Sequence, residues 1–261
     1  MKYMSAAHTD VGIRKKTNQD SLLIEEANTD YGKVILAVIC DGMGGLAKGE
    51  LASATLIQNI SQWFRLEFPQ ILYQHHINQE DFQNCLCQGL DRLIQDTNMQ
   101  IGNYGYDNHT SLGTTVTLLI LIEGKYYIAN VGDSRIYLIT NQLHQLTKDQ
   151  TYIQRELDLG HMTLEEAQND PQRNVLLQCV GASDTVIPDF FTGDYETEQM
   201  FLLCSDGFRH VLTPDELYQN LNVYILKTED AMQESLQYLT EWNKSRMERD
   251  NITSALIRVC K

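Results

Sequence analysis

Apolar residues recur along the chain in two patterns, one typical of strands and the other typical of helices. Short, nearly continuous apolar runs that are bounded by turn residues predict strands buried in a core. Such runs occupy residues 21–25, 33–40, 115–122, 126–131, 135–140, 200–204 and 254–259. Because tight turns separate 115–122, 126–131 and 135–140, we expect these three strands to pair in antiparallel fashion.

Apolar positions at helical spacing predict two long helices, at about residues 50–66 and 79–101, and a third at about 230–244. Two shorter helices are predicted by capping boxes, in which a threonine and a glutamate three residues later satisfy each other's backbone donors. The boxes span residues 163–166 and 213–216. Helical segments are therefore grouped between runs of strands.

This segregation of strands and helices favours an α+β fold with antiparallel sheets over a doubly wound parallel fold. The chain has only four prolines, and none lies in a Gly/Ser-rich stretch. We find no linker, no low-complexity tract and no repeat of solenoid period, so the sequence predicts a single domain over residues 1–261.

Composition and charge exclude several classes of protein. Of the 261 residues 43% are apolar, but the longest apolar run, at 34–40, is far shorter than a membrane-spanning helix. The first residues lack the apolar core of a signal peptide, so we expect a cytoplasmic protein. A net charge of −15 disfavours binding to nucleic acid or anionic lipid. The six cysteines contain no CxxC pair, and we expect neither a zinc site nor a disulfide framework.

Five aspartates lie at the ends of predicted strands: Asp20, Asp41, Asp133, Asp206 and Asp250. Asp41 and Asp206 each follow an apolar run and precede a glycine, which lets the backbone turn sharply. If the five converge, each pair of charges about 4 Å apart costs about 4 kcal/mol at an effective dielectric near 20. Only cations relieve that repulsion, and an all-oxygen set favours Mg²⁺ or Mn²⁺ over zinc. Asp-Gly pairs are also ordinary turn residues, so both interpretations stay open at this stage.

The stretch at residues 42–47 also fits the dinucleotide-binding fingerprint G-x-G-x-x-A between a strand and a helix. Asp41 directly before the first glycine would repel a pyrophosphate. The next predicted element after the helix is a second helix, so the βαβ unit is missing. An oxidoreductase is therefore disfavoured.

Seven motifs occur in the order and spacing of one known family and cover essentially the whole chain. They are Thr9-Asp10-Val11-Gly12-x-Arg14, Asn18-Gln19-Asp20, Asp41-Gly42-Met43-Gly44-Gly45, Gly113-Thr114-Thr115, Ala129-Asn130-Val131-Gly132-Asp133-Ser134-Arg135, Cys204-Ser205-Asp206-Gly207 and Asp250-Asn251-x-Thr253. With them the sequence resembles the metal-dependent protein phosphatases of the protein phosphatase 2C type. Residues 147–181 resemble the flap of the bacterial branch.

The resemblance implies a four-layer α/β/β/α sandwich with two central antiparallel sheets flanked by helices. It also implies hydrolysis of phosphoserine and phosphothreonine in proteins, by attack of a metal-bridging hydroxide on phosphorus, with Mn²⁺ or Mg²⁺ as cofactor. By this resemblance Asp41 would bridge two ions, the Gly42 carbonyl would bind one of them, and Asp206 and Asp250 would bind the other. Asp20 would hold metal-bound water, and Asp133 with Asp206 would form a third, weaker site. Arg14 would be the clamp on the substrate phosphate.

Four positions depart from the family pattern. Gln19 stands where a glutamate is usual, so we expect weaker metal affinity, because an amide accepts no charge-assisted hydrogen bond from metal-bound water. Met43 stands where animal members have a histidine that acts as general acid, so water or another group must protonate the leaving oxygen. Gln150 and Asp170 replace histidines that are common in the bacterial flap, so we expect the flap's contacts to differ from those of the family.

The sequence thus predicts a cytoplasmic, monomeric protein Ser/Thr phosphatase of bacterial type. Its expected partners are phosphorylated proteins, the substrates of a Ser/Thr protein kinase, and neither nucleic acid nor a membrane. The alternative is a catalytically weak phosphatase-like module that binds phosphoproteins or metal, for which Gln19 is the one supporting feature.

Overall fold

Two five-stranded sheets form the centre of the computed structural model, which describes residues 1–43, 48–77 and 80–260. The strands are β1 (Lys2–Asp10), β2 (Ser21–Thr29), β3 (Gly32–Cys40), β4 (Val116–Ile122), β5 (Lys125–Val131), β6 (Arg135–Ile139), β7 (Leu143–Gln145), β8 (Asp189–Asp194), β9 (Met200–Cys204) and β10 (Ile252–Cys260). The helices are α1 (Gly49–Leu66), α2 (Phe68–Gln74), α3 (Glu80–Asp107), α4 (Tyr152–Asp158), α5 (Leu164–Asn169), α6 (Asp206–Arg209), α7 (Pro214–Leu221) and α8 (Glu229–Ser245). One sheet has the order β1-β10-β9-β6-β7 and the other β2-β3-β4-β5-β8, with every neighbouring pair antiparallel.

The hydrophobic core has three layers, one between the sheets and one on each outer face. In β3, Ile35, Ala37 and Ile39 lie in the core between the sheets. The alternate residues Val34 and Leu36 lie in a second core, which α1, α2 and α3 close. A third core, on the outer face of the other sheet, is closed by α6, α7 and α8. This arrangement confirms the expected α/β/β/α sandwich, and burial of both faces explains why β3 has a continuous apolar sequence.

Most of the predicted elements are confirmed, with small changes at their ends. Both capping boxes are present, with the Thr163 and Thr213 side chains accepting from the backbone of the third helical residue. Helix α3 continues to Asp107, beyond the end predicted at residue 101. Its predicted start at Gln79 and the glycine-rich residues 44–47 lie outside the described residues.

The predicted pairing of residues 126–131 with 135–140 is wrong. Strand β5 pairs with β4 and β8, whereas β6 pairs with β7 and β9 in the other sheet. The short connection carries the chain across the sandwich, and Gly132 within it has a φ of 109°, which favours glycine. A tight connection therefore does not fix pairing where two sheets face each other.

Several short or weakly patterned elements were absent from the predicted set, among them β1, β8 and α2. Strand β1 consists largely of small and polar residues and pairs along its whole length with β10. Among the described residues no helix is long and apolar enough to cross a membrane. The division into one domain with a flap at 147–181 stays a prediction, and α4 and α5 lie within that stretch.

Candidate metal centre

The register of the strands brings the five aspartates to one end of the sandwich. In one sheet Ser21 pairs with Cys40, so Asp20 and Asp41 lie opposite each other just beyond the paired residues. In the other sheet Cys204 pairs with both Ser254 and Arg135. Asp206, Asp250 and Asp133 are each within four residues of those positions in the sequence, at the same strand ends.

Two glycines allow the strand ends to approach this closely. A Cβ on Gly42 would lie 2.3 Å from the backbone oxygen of Gln19, the residue before Asp20. A Cβ on Gly207 would lie 2.1 Å from the backbone oxygen of Asn251, the residue after Asp250. Neither glycine has a positive φ. What these two positions require is close backbone contact, which only a residue without a side chain permits.

Hydroxyl and backbone groups of the 113–115 segment hold Asp41 in place. The Asp41 N–H donates to Thr115 Oγ1 at 2.9 Å, and the Asp41 carbonyl accepts from the Thr115 N–H at 2.9 Å. Thr114 Oγ1 donates to the same carbonyl at 3.0 Å. These bonds satisfy the backbone of Asp41, so its carboxylate keeps its capacity for other partners.

Asn251 holds the loop that carries Arg14 and Asp20. Its buried amide donates to the carbonyls of Val11 at 3.0 Å and Thr17 at 3.3 Å, while its Oδ1 accepts from the Gln19 N–H at 3.0 Å. Asn251 was part of a sequence motif, but no positioning role was predicted for it. The signal was present only as an asparagine beside a candidate ligand.

Burial and repulsion from neighbouring charges raise the pKa values of Asp20, Asp41 and Asp133. Burial raises the pKa of Asp41 well above its usual range, and the charges of Asp20 and Asp206 add to the increase. Burial raises the pKa of Asp20 to about 7, with additions from Asp206 and Asp250. Burial also raises the pKa of Asp133 to about 7, and Asp206 raises it further. The charges of Asp20, Asp133, Asp206 and Asp250 all act on Asp41.

Some oxygens of the cluster are buried with no hydrogen-bond partner. Both carboxylate oxygens of Asp20 and Oδ1 of Asp206 accept no hydrogen bond of normal geometry from the described residues, although the side chains of Thr253 and Ser205 are near enough to Asp20 to counteract the rise of its pKa. Burying an ionised oxygen without a partner is costly, and a hard cation would satisfy it. The donor set therefore fits Mn²⁺ or Mg²⁺.

The cluster is open rather than closed around a single point. In the described part of the chain, no three or more His, Cys, Asp or Glu side chains are gathered tightly enough to hold an ion alone. Ions of the Mg²⁺ type usually keep several waters, so a backbone carbonyl and water would complete their coordination. The Gly42 N–H donates to the Gln19 carbonyl at 3.1 Å, and the role of the Gly42 carbonyl as a ligand stays a prediction.

Lys15 forms an ion pair with Asp250, one of the candidate metal ligands. Its Nζ lies 2.7 Å from Oδ1 of Asp250, whose side chain is 41% exposed. The ammonium group thus supplies the positive charge that a metal ion would bring to this carboxylate. Lys15 and a metal ion therefore compete for the negative charge of Asp250.

We therefore expect Lys15→Met to raise the affinity for Mn²⁺ by about two- to fivefold, the range set by an exposed ion pair. Calorimetric titration of the metal-free protein with Mn²⁺ measures the change. Lys16→Met removes the same charge from the next residue without removing this ion pair and serves as the control. Equal affinities in the two variants would show that Lys15 does not compete with the metal.

An open cavity of ≈ 800 Å³ lies beside the aspartates and contains Arg14. Its lining includes Asp206 and Asp250, and the Arg14 side chain is exposed. The structure thus brings a planar cation with several donors next to the candidate metal ligands, in a space that is open to solvent. His210 also lines this cavity, and its Nδ1 lies 3.1 Å from Oε2 of the buried Glu248.

Asp133 is held by a network of charged side chains. Arg209 donates to the Asp133 carbonyl at 2.8 Å and lies 3.5 Å from its Oδ2. Arg135 makes two hydrogen bonds of 2.7 Å to Asp149, which Arg209 also contacts at 3.4 Å. These partners were not predicted, because nothing in the local sequence relates residues 133, 149 and 209.

Three of the residues that depart from the family pattern make hydrogen bonds in the structure, namely Gln19, Gln150 and Asp170. The Gln19 amide donates to Glu50 at the start of α1, with 3.3 Å between Nε2 and Oε2. Gln150 links the 147–181 segment to the sheet, since its Oε1 accepts from the Gly132 N–H at 2.9 Å. Asp170 accepts from the Gln172 N–H and forms a local turn. The expected weaker metal affinity stays a prediction.

The comparisons with known proteins agree on one family. The family model described as Protein phosphatase 2C matches residues 8–254. The chain is 31% identical over 252 residues to the serine/threonine phosphatase Stp of Listeria monocytogenes, covering 95% of this chain and 93% of that protein. It is similar to the crystal structure of the serine/threonine phosphatase Stp1 from Staphylococcus aureus, with a TM-score of 0.82, 28% identity and coverage of 100% and 96%. It is also similar to the catalytic domain of the phosphatase PstP in complex with two manganese ions, with a TM-score of 0.76, 26% identity and 99% of both chains covered.

Proposed function

This chain belongs to the protein phosphatase 2C family, and we propose that its aspartate cluster holds the divalent cations with which it dephosphorylates proteins. It is a protein serine/threonine phosphatase, and metal dependence is general to its family. One observation carries the proposal about the site: five carboxyl groups meet at one end of the sandwich, and some of their buried oxygens lack a partner among the described residues.

We assign the ion-holding roles to the residues that the sequence indicated. They are Asp41 as the bridging ligand, the Gly42 carbonyl, Asp206, Asp250, Asp20 through water, and Asp133 with Asp206 at a third, weaker site. Manganese is the favoured ion, since the similar PstP domain is described with two manganese ions, and magnesium suits the same oxygens. Divalent ions at such a site supply an acidified water molecule and positive charge opposite the phosphoryl oxygens.

The protein's own groups bind and orient the substrate. Arg14 lines the cavity beside Asp206 and Asp250, where its guanidinium can present two parallel N–H donors to phosphate oxygens. Thr114 and Thr115 fix the backbone of Asp41, and Asn251 fixes the loop that carries Arg14. The phosphate clamp and the carboxylates are therefore kept at a set separation, which is what proximity catalysis needs.

Replacing Arg14 with alanine should raise KM about 10-fold or more, because hydrogen bonds to a charged group contribute about 1.5–3 kcal/mol. The effect on kcat should be smaller, since the clamp contacts the phosphate before and during reaction. Steady-state kinetics on a phosphothreonine peptide measure both constants. Arg14→Lys keeps the charge without the planar fork and should be intermediate. An unchanged KM in Arg14→Ala would mean that Arg14 is structural.

The function is tested by measuring phosphate release from a phosphothreonine peptide and from p-nitrophenyl phosphate, with and without Mn²⁺. We expect release of phosphate from both substrates that requires Mn²⁺ and stops on chelation. Binding of the peptide without release of phosphate would instead support the catalytically weak module. Release at the same rate without metal would contradict the proposed role of the aspartates.

Because the protein is a protein phosphatase, its partners are phosphorylated proteins. We further propose a cytoplasmic location, which is supported by the free thiols of all six cysteines, as expected in a reducing compartment. A partner Ser/Thr kinase, a monomeric state and the lack of binding to nucleic acid or membranes stay predictions.

A further inference from the structure

The cavity beside the aspartate cluster has a charge opposite to that of the rest of the protein. Its lining contains five of the chain's 20 lysines and arginines but only three of its 35 aspartates and glutamates. The basic residues are Arg14, Lys15, Lys16, Arg173 and Arg249. In a chain of net charge −15 this concentration is far from an even distribution, and we name these five residues the basic rim.

The acidic residues of the cavity are already engaged. Asp250 pairs with Lys15, and Glu248 contacts His210 and accepts from the backbone N–H groups of Arg249 and Asp250. Asp206 belongs to the candidate metal centre, where cations would offset its charge. Asp250 thus offsets the charge of Lys15, whereas neither Asp250 nor Glu248 forms an ion pair with the side chains of Lys16 and Arg249.

Lys16 and Arg249 are the rim members on which the proposal depends, since Arg14 is the proposed clamp, Lys15 pairs with Asp250, and Arg173 has an interaction of its own. Both side chains are exposed, and neither takes part in the ion pairs that the described residues form. They come from two loops that the sheet places side by side, because Asp10 at the end of β1 pairs with Ile252 at the start of β10. Lys16 follows the phosphate clamp Arg14 by two residues, and Arg249 directly precedes Asp250.

We propose that the basic rim selects phosphoprotein substrates with acidic residues next to the phosphorylated serine or threonine. An extended peptide advances about 3.5 Å per residue, so side chains one or two positions from the phosphoresidue reach about 7 Å along the rim. Lys16 and Arg249 line the same cavity as Arg14 and Asp250, so side chains that neighbour a phosphoresidue bound there come within their reach. The proposal rests on the phosphatase function and names its substrate class.

Complementary charge of this kind contributes to both affinity and encounter rate. Two exposed ion pairs together should give about a 10-fold preference in kcat/KM for a peptide with acidic neighbours over one with neutral neighbours. Peptides with basic neighbours should be the poorest substrates. Because the rim is open to solvent, the preference should shrink as the ionic strength rises above about 0.15 M.

The test compares three phosphothreonine peptides of equal length, with two aspartates, two glutamines or two lysines on each side of the phosphothreonine. The readout is the ratio of kcat/KM between them at saturating Mn²⁺, for the wild type and for a double variant with Lys16→Glu and Arg249→Glu. We expect the acidic peptide to be preferred by the wild type and the lysine peptide to be preferred by the double variant. Arg92→Glu, on the exposed side of α3 and outside the cavity, is the matched control and should keep the wild-type ratio.

The possible results distinguish failure of the substrate selectivity from failure of the phosphatase function. Equal kcat/KM for the three peptides, with p-nitrophenyl phosphate still hydrolysed, would overturn the selectivity and leave the phosphatase function standing. Hydrolysis of none of the substrates, including p-nitrophenyl phosphate, would instead contradict the proposed function itself. Tight binding of a fluorescent single-stranded DNA that the double variant loses, with no change in peptide ratios, would show that the rim serves a different polyanion.

Discussion

Replacing Asp41 with asparagine is expected to lower turnover of a phosphothreonine peptide by about 1,000-fold or more. Metal ions contribute several kcal/mol to the stabilisation of such transition states, and each 1.36 kcal/mol corresponds to a factor of ten. Asp41 faces the charges of all four other aspartates in the cluster, so it is the carboxylate that is best placed to be shared between ions.

The same variant should be more stable than the wild type when both are free of metal. Asparagine has nearly the shape of aspartate but removes one buried charge from the repulsion, so its melting temperature should rise while the stabilisation by Mn²⁺ shrinks. Thermal melts with and without Mn²⁺ measure both effects. Asp194→Asn makes the same chemical change in an exposed ion pair with Lys125 at the other end of the sheet and should leave turnover unchanged. A lower melting temperature in metal-free Asp41→Asn would indicate that Asp41 is a structural residue.

Replacing Gly207 with alanine should damage both the fold and the metal centre. The added Cβ would lie 2.1 Å from the Asn251 carbonyl oxygen and 3.3 Å from Cβ of Asp250, and the nearest obstacle is backbone. Overpacking of a buried site costs about 1–3 kcal/mol, which corresponds to a loss of roughly 2–12 °C in melting temperature. Relief of the contact must push Asp206 and Asp250 apart, so Mn²⁺ should bind more weakly as well.

Gly102→Ala is the matched control for this substitution. Gly102 lies within α3, and a Cβ there would meet its nearest neighbour, the Gly181 oxygen, at an ordinary contact distance of 3.6 Å. Alanine should therefore be neutral or stabilise the helix by up to about 1 kcal/mol. Melting curves and calorimetric Mn²⁺ titrations check both variants. A Gly207→Ala protein with normal stability and normal Mn²⁺ affinity would show that this close contact does not hold the centre together.

The elements that the sequence predicted well are those whose signal is local. Strand β3 was visible because both of its faces are buried, and the helices at Thr163 and Thr213 were visible because capping needs only four consecutive residues. Strand β1 was not visible, since its small and polar residues become a strand through pairing with β10, at the other end of the chain. The mistaken pairing of β5 with β6 has the same origin, because the choice of sheet is a property of the whole fold.

In the candidate site, too, the sequence predicted the features with a local signal and missed those that depend on contacts between distant parts of the chain. Asp41-Gly42 and Asp206-Gly207 were recognisable as strand-end motifs, but their convergence depends on pairings such as Ser21 with Cys40. The contacts of Lys15 with Asp250 and of Asn251 with the loop before Asp20 join positions more than 200 residues apart. No local pattern relates such residues. The roles of the individual ligands came from the family resemblance, and they stay predictions until metal binding is measured.

The most direct measurement is the number of Mn²⁺ ions that bind to the metal-free protein, determined by equilibrium dialysis with metal analysis. If the aspartates form the proposed centre, the wild type binds two ions tightly, and Asp41→Asn loses at least one of them in parallel with turnover. Tight binding of two ions by a folded Asp41→Asn protein, or no Mn²⁺ binding by an active wild type, would contradict it.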